Sequence, residues 1–217
     1  MASSRILTLA LDRTLPAFGA DRASAIASDE AALVAELQSG SEPAFAYLVA
    51  VFESPIYNLV WHILGNEADA ADVLQEVFVK VFRGVKQFHG ASSLRTWIYR
   101  IALHEASNHR RGWLRRHAHE PMSLDEEPGQ PGMAVAEAAQ SSSQTPYQNL
   151  EQAERQARVE RALASLAEPY RTVVALREIE DLSYEEIAEV LSVAEGTVKS
   201  RLMRGRELLR RKLAAWK

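Results

Sequence analysis

Arginine and lysine side chains are concentrated in two short stretches of the sequence, and their chemistry is that of phosphate binding. Between Leu94 and His117, six arginines stand against one glutamate, which gives a net charge of +5. Between Gly196 and Lys217, eight basic residues stand against one glutamate, which gives +7. Because these cations pair with phosphate oxygens, the two stretches predict two contacts with one polyanion. Solvated helix faces are the alternative interpretation.

The second basic stretch overlaps a pattern that predicts two helices joined by a tight turn. Ser183, followed three residues later by Glu186, forms a capping box at a helix start. The segment 192–196 is interpreted as the turn, and Val198 and Leu202 point inward at the spacing of a second helix. Further apolar positions of the pair are Ile187, Ala188, Val190, Leu191, Leu208, Leu209 and Leu213. This spacing is typical of a helix-turn-helix.

The second helix of that unit is of a size to enter the DNA major groove, with its N-terminal turns against base edges. Arginine and lysine bond the guanine edge and also pair with phosphates, so the residue types alone do not divide these roles. The candidate DNA contacts are Glu195, Thr197 and four residues expected to point outward, Lys199, Ser200, Arg201 and Arg204. An amphipathic helix pair that binds no DNA is the alternative.

Helical spacing of apolar residues also dominates the rest of the chain, and strand patterns are weak. We therefore predict an all-α fold of two small helical domains joined by a flexible acidic linker, with the helix-turn-helix in the C-terminal domain. The linker has four prolines and five acidic residues but no lysine or arginine. The predicted boundaries are 1–28 for an N-terminal tail (rather than a docking helix), 29–117 for the first domain, 118–150 for the linker and 151–217 for the second domain.

The composition excludes several classes of protein. Of the 217 residues none is cysteine, which excludes disulfides, thiol catalysis and cysteine-based zinc sites. No uninterrupted apolar run approaches the roughly 20 residues of a membrane span, and the N-terminus does not have the pattern of a signal peptide. A cytoplasmic protein without membrane insertion is therefore expected.

Enzyme chemistry has little support in the sequence. A Walker-type glycine loop and a nucleophile elbow are both missing, so no catalytic residue and no cofactor is predicted. Histidines cluster between residues 104 and 119, but without cysteine or a second cluster of ligands we predict no metal site. The histidines concerned are His104, His109, His117 and His119.

Three strings in the sequence together resemble a known family. They are Asp69–Phe78 (DAADVLQEVF), Phe88–Ala102 (FHGASSLRTWIYRIA) and Gly196–Arg206 (GTVKSRLMRGR). In this order, with a linker between the second and third, they resemble an extracytoplasmic-function (ECF) sigma factor of bacterial RNA polymerase. The resemblance covers residues 29–217 and implies a non-enzymatic subunit that binds core polymerase, recognises two promoter elements and helps to open DNA.

The first string resembles the helix that docks on the clamp of the largest polymerase subunit. The resemblance implies core-binding roles for Asp69, Asp72, Gln75, Glu76 and Phe78. The helical spacing agrees in part, because Asp72, Gln75, Glu76 and Val79 would share one exposed patch while Val73, Val77 and Val81 face the core. A solvated helix face is the alternative reading of this spacing.

The second string resembles the segment that opens and reads the promoter element near the start site. Its loop of small, polar and aromatic residues can form a pocket for a flipped base, and the following helix offers arginines to a single strand. The implied residues are Phe88, His89, Ser92, Ser93, Arg95, Trp97, Arg100, Asn108, Arg110 and Arg111. For Trp97, a place in the domain core is favoured over stacking on a base.

This chain departs from the family pattern at a few positions. His104 stands where the family usually has asparagine, and Asn108 where aspartate is common. In the helix-turn-helix, Ser192 replaces a usual glycine and Ala194 replaces proline or serine, so the second helix lacks a side-chain cap.

The function predicted from these observations is that of an alternative sigma factor without a cofactor. Its expected partners are core polymerase, at the clamp and flap region, promoter DNA and, by resemblance only, an anti-sigma factor. The alternative is a helix-turn-helix transcription regulator whose N-terminal domain senses a ligand or dimerises. The first two strings favour the sigma factor, because such a regulator needs neither a polymerase-docking helix nor a strand-opening segment.

Overall fold

The computed structural model describes residues 30–117 and 146–214. The predicted tail at 1–28 and residues 118–145 of the predicted linker lie outside these ranges. The described residues form eight α-helices, a short 3₁₀ turn and a π-helical turn, without a strand. The helices are α1 (Glu30–Gln38), α2 (Glu42–Leu64), α3 (Glu67–Gly84), α4 (Leu94–His117), α5 (Pro146–Ala164), α6 (Glu168–Val174), α7 (Tyr184–Leu191) and α8 (Glu195–Ala214).

The first domain is built around α2, which packs against α3 and α4. The Ser41 hydroxyl caps the start of α2 by accepting from the Ala44 N–H, and Gly65 ends the helix in the left-handed conformation, φ 74°. By length and composition alone, α2 is apolar enough to cross a membrane. Seven of its side chains are buried, among them Leu48, Ile56 and Leu59. Its hydropathy is therefore that of a core helix.

Helix α3 buries the face that its sequence predicts. Asn66 caps its first turn, and Val73, Val77 and Val81 are buried, as expected. The opposite face points to solvent with Asp72, Gln75, Glu76 and Val79.

The C-terminal domain begins earlier than its predicted boundary at 151. Helix α5 starts at Pro146, so the last part of the predicted linker is helical, and proline is well accommodated at a first helical position. Pro169 likewise lies in the first turn of α6. A π-helical turn, Ala175–Ile179, follows α6 and leads to α7.

Helices α7 and α8 form the predicted helix-turn-helix. The capping box at the start of α7 is confirmed, since Ser183 and Glu186 each bond the other's backbone N–H. The predicted turn 192–196 is too long: Ser192 reverses the chain at φ 53°, and α8 already begins at Glu195. Gly205 lets α8 lie close on α6, because a Cβ there would stand 2.7 Å from the Val174 Cγ2.

The two domains pack directly on each other, α4 against α7 and α2 against α6. Arg171 of α6 donates to the carbonyl oxygens of Ile63 (3.0 Å) and Ala164 (2.9 Å), so it joins the end of α2 to the end of α5. A crevice of about 180 Å³ remains between the domains, with Leu103 on one wall and Leu191 on the other.

Candidate nucleic-acid interface

The N-terminal half of α8 presents basic side chains to solvent. Lys199 and Arg204 are exposed, and Lys199 also lies 5.8 Å from the centre of the Tyr184 ring. The Glu195 carboxylate accepts a hydrogen bond from Lys199 Nζ at 2.6 Å, and this contact raises the pKa of the ammonium group. Ser200 is exposed, with its hydroxyl donating to the Thr197 carbonyl oxygen at 3.0 Å. This face therefore has the donors and the access that a DNA contact requires.

Arg201 departs from the expected outward direction. Its side chain is half-buried and lines the crevice between the domains, together with Ser107 and Glu168. In this arrangement Arg201 does not share the open face of Lys199 and Arg204.

The loop before α4 is fixed at both ends by α1. The Gln38 amide donates to the carbonyl oxygens of Val85 (3.2 Å) and Phe88 (2.8 Å). At the other end, the Glu30 carboxylate accepts from the Leu94 N–H at 2.9 Å. Gln38 and Glu30 were not predicted from the sequence, because contacts between residues 50 to 64 positions apart leave no local pattern.

Phe88 and Trp97 form an aromatic pair at this loop. Phe88 is 8% exposed, and its ring centre lies 5.2 Å from that of Trp97. Trp97 is half-buried and packs on Gly84, where a Cβ would come within 3.1 Å of the indole. Both rings therefore serve as core in this structure, which is the interpretation favoured for Trp97.

Among the polar residues of the loop, one is exposed to solvent and another caps the helix that follows. His89 is exposed and Ser92 is half-buried. The Ser93 hydroxyl accepts from the Thr96 N–H at 3.0 Å and also bonds the Thr96 hydroxyl at 2.8 Å. Ser93 therefore acts as the N-terminal cap of α4.

Most arginines predicted to read the strand are engaged with acidic residues of the C-terminal domain. Arg110 pairs with Glu168, while Arg100 lies 3.4 Å from the Glu189 carboxylate and donates to the Glu189 carbonyl oxygen at 3.2 Å. Arg95 donates to the Glu180 carbonyl oxygen.

The other predicted positions on α4 stay within their own helix. Arg111 is exposed and donates to the Asn108 side-chain oxygen at 2.6 Å. The Asn108 amide lies 3.1 Å from His104 Nδ1, which also contacts Glu105 at 2.8 Å. The two residues that depart from the family pattern therefore bond each other.

Tyr99 and Glu180 are buried together between the domains. The Tyr99 hydroxyl donates to the Glu180 carboxylate, and the two residues are 1% and 8% exposed. Burial, followed by the nearby Glu180 charge, raises the pKa of Tyr99. Burial also raises the pKa of Glu180, against the opposing effects of the Tyr99 hydrogen bond and the Arg95 charge.

The outer face of α3 combines polar and apolar side chains. Asp72, Gln75 and Glu76 are exposed together with Val79, while Phe78 is half-buried. Phe82, which sequence reasoning missed, is 57% exposed, and its ring centre lies 4.8 Å from that of Phe45. Its spacing of seven residues from Gln75 was the available signal, since that spacing puts both on one face.

Asp69 stands apart from this face. Its carboxylate lies 3.5 Å from His109 Nε2, on the side of α3 that meets α4. Within residues 30–117 and 146–214, no group of three or more potential ligands could hold a metal ion.

Two family models match this chain. The Sigma-70 region 2 model matches residues 48–117, and the Sigma-70, region 4 model matches residues 156–209. The ECF RNA polymerase sigma-E factor of Haemophilus influenzae is 34% identical over 183 residues, which are 84% of this chain and 94% of that protein. The chain belongs to the ECF RNA polymerase sigma factors. The ECF sigma factor SigW of Bacillus subtilis is 30% identical over 180 residues.

Solved structures agree with this family. CnrH, solved in complex with the cytosolic domain of CnrY, is 26% identical and covers 86% of this chain with a TM-score of 0.60. The sigma factor RpoE of Bartonella quintana, solved with the anti-sigma factor NepR, shares the fold at 21% identity and a TM-score of 0.59. This ECF sigma factor is a transcription initiation factor that binds core RNA polymerase and promoter DNA.

Proposed function

We propose that this sigma factor docks on the polymerase clamp through the outer face of α3. The observation that carries the proposal is the exposure of Phe82 and Val79 beside Asp72 and Gln75. Large apolar side chains grouped with polar ones on a helix face are typical of a protein interface. A direct test is the affinity of an Asp72→Ala, Gln75→Ala variant for core polymerase, with Lys86→Ala as a control outside this face.

The two DNA-reading roles fall to different domains. Helix α8, through Lys199, Ser200 and Arg204, contacts the upstream promoter element. Helix α4 and the loop before it contact the element near the start site as a single strand. Residues 118–145 join the domains and span at most about 100 Å when extended, so the readers can bind DNA elements two turns apart at about 34 Å per turn.

An anti-sigma factor is the expected regulatory partner. Support comes from the resemblance noted in the sequence and from RpoE of Bartonella quintana, which was solved with such a partner. The site of action that suits these partners is the cytoplasm. No catalytic activity is proposed.

Reconstituted transcription tests the whole proposal. The chain is mixed with bacterial core polymerase that lacks any sigma factor, and the 5′ ends of RNA made from genomic DNA are sequenced. Discrete start sites that share two spaced upstream motifs are expected. Folded protein that neither binds core nor produces starts would favour the alternative of a helix-turn-helix regulator.

A further inference from the structure

The C-terminal domain occupies the face of α4 that is proposed to read single-stranded promoter DNA. Three arginines of α4 that are spread along the helix each have an acidic residue of that domain as partner. Arg100 and Arg110 face the carboxylates of Glu189 and Glu168, whereas Arg95 donates to the backbone carbonyl oxygen of Glu180. Phosphate oxygens would make the same kind of contact with these guanidinium groups, so the strand and the C-terminal domain compete for them.

Glu180 is the centre of this contact. Its carbonyl oxygen accepts from Arg95 and its carboxylate accepts from Tyr99, so one residue engages two successive turns of α4. The chain reverses directly after it, because Asp181 adopts a φ of 51°, a left-handed conformation that aspartate tolerates better than most residues. The reversal lets the loop between α6 and α7 place Glu180 against α4.

Helix α8, the proposed reader of duplex DNA, stays accessible in the same arrangement. Lys199, Met203 and Arg204 are exposed on the open face of α8, and both partners of Lys199, Glu195 and the Tyr184 ring, belong to the C-terminal domain. Domain packing therefore covers the proposed single-strand reader and leaves the proposed duplex reader accessible.

We propose that the C-terminal domain inhibits strand reading in the free protein, with the Glu168 and Glu189 carboxylates and the Glu180 carbonyl oxygen in the places that DNA phosphates would take on α4. Because the inference rests on the strand-reading role proposed above for α4, its test must separate the two. In the free chain, α8 is available to duplex DNA while α4 is closed to single strands. Docking on core polymerase opens the interface by favouring separated domains.

The strength of the contacts suits an interface that opens. The pairs Arg100–Glu189 and Arg110–Glu168 leave about 40% of each side chain exposed, and exposed ion pairs contribute little and are screened by salt. The buried Glu180 carboxylate is costly to desolvate, which offsets part of its bonding to Tyr99. These polar contacts therefore add little net free energy to the closed state.

The first measurement is the distance between the domains in the full-length protein. The chain has no cysteine, so Lys86→Cys in the first domain and Arg211→Cys in the second take spin labels specifically. A single narrow distance distribution is expected for the otherwise unchanged chain. Glu180→Lys with Glu189→Lys, which repels Arg95 and Arg100, should broaden the distribution to longer distances.

A matched control separates the interface from net charge. Glu154→Lys with Glu160→Lys makes the same charge change on α5, outside the contacts with α4, and should leave the distances unchanged. Because Glu180 is buried, Glu189→Lys alone serves as a milder variant, and circular dichroism checks that each variant is folded. An unchanged narrow distribution in both interface variants would overturn the proposal.

The second measurement is binding of a fluorescein-labelled, mixed-sequence 15-nucleotide DNA strand by the unlabelled chain. If one molecule in ten is open, the opened variant should bind about tenfold more tightly than the charge-matched control. Equal binding by the two variants would overturn inhibition.

Two further substitutions separate that outcome from a failure of the proposed strand reader. Arg95→Ala with Arg100→Ala, added to the opened variant, should abolish the gain in DNA binding. If the domains separate and binding rises but this addition has no effect, closure stands and the role proposed for α4 is wrong.

Discussion

Helices α4 and α8 are both basic, yet they use their charge differently in the free protein. On α8 the exposed cations pair within the C-terminal domain: Lys199 pairs with Glu195, and Arg206 with Glu178 at 2.5 Å. On α4 three arginines, Arg95, Arg100 and Arg110, contact residues across the domain boundary. A basic stretch in sequence therefore shows that a surface suits a polyanion, but only the packing shows whether that surface is free to bind one.

The largest difference between the two helices is expected from a substitution that displaces α8 and leaves α4 in place. Gly205→Val places side-chain atoms where a Cβ already comes within 2.7 Å of Val174 Cγ2. Overpacking of this kind costs about 1–3 kcal/mol, so we expect a lower unfolding midpoint and loss of upstream-element binding. Thermal unfolding and holoenzyme footprinting measure the two effects. Gly112→Ala on α4 is the control, since its nearest atom is the Arg116 Nη1 at 3.7 Å, and an equal loss there would contradict the explanation.

His62, near the end of α2, reports on the contact between α2 and α6. Burial, followed by the charge of Arg171 from the other domain, lowers its pKa from 6.5 to about 4. The unfolded chain therefore binds the proton first, and stability falls as the pH drops from 6.5 to 4, by about 3 kcal/mol in all. In the Glu180→Lys, Glu189→Lys variant, Arg171 moves away and the pKa of His62 rises.

A titration of the imidazole resonances by NMR measures this pKa in both proteins. A His62 pKa that is the same in the opened variant would argue that Arg171 stays in place.

Removing the exposed cations of α8 should weaken duplex binding alone. Lys199→Ala with Arg204→Ala removes two candidate phosphate contacts, so the slope of log affinity against log salt should fall by about two for the upstream element. Strand binding by an opened chain should be unchanged. Holoenzyme binding to promoter duplex over a salt series tests this, and an unaltered slope would show that neither side chain touches phosphate.

The smallest expected effects come from substitutions at the two residues with a left-handed backbone, Ser192 and Asp181. Ser192→Gly relieves the conformation between α7 and α8 and should stabilise the protein by up to about 1 kcal/mol, with the interdomain distance unchanged. Asp181→Gly relieves the same conformation beside Glu180 but also loosens the chain there, so the distance distribution should broaden. Chemical denaturation and the spin-label distances distinguish the two variants. If both variants keep the same distance distribution, Asp181 has no part in holding the domains together.

Local patterns predicted much of this molecule. The capping box at Ser183, the buried valines of α3 and the inward Val198 and Leu202 follow from side-chain spacing along one helix, and the structure confirms them. The end of the turn was wrong because Glu195 and Gly196 are compatible with either a loop or a first helical turn.

Contacts between distant parts of the chain could not be read in the same way. Glu180 is 81 positions from Tyr99, and in sequence it is one acidic residue among several, with no periodicity that marks it as buried. Arg201 was placed outward because its own helix permits that, whereas the first domain decides its surroundings. The roles of individual residues toward DNA and polymerase stay predictions.

The bond between Tyr99 and Glu180 also links the evolutionary histories of the two domains. A chain that keeps a buried carboxylate at position 180 must keep a hydroxyl donor at 99, or that carboxylate loses its hydrogen-bond donor in the interface. Loss of Glu180 frees position 99 to vary. Substitutions at these two positions should therefore appear together among descendants of this sequence, and grafting a foreign C-terminal domain onto this first domain should succeed best when the acidic residue travels with it.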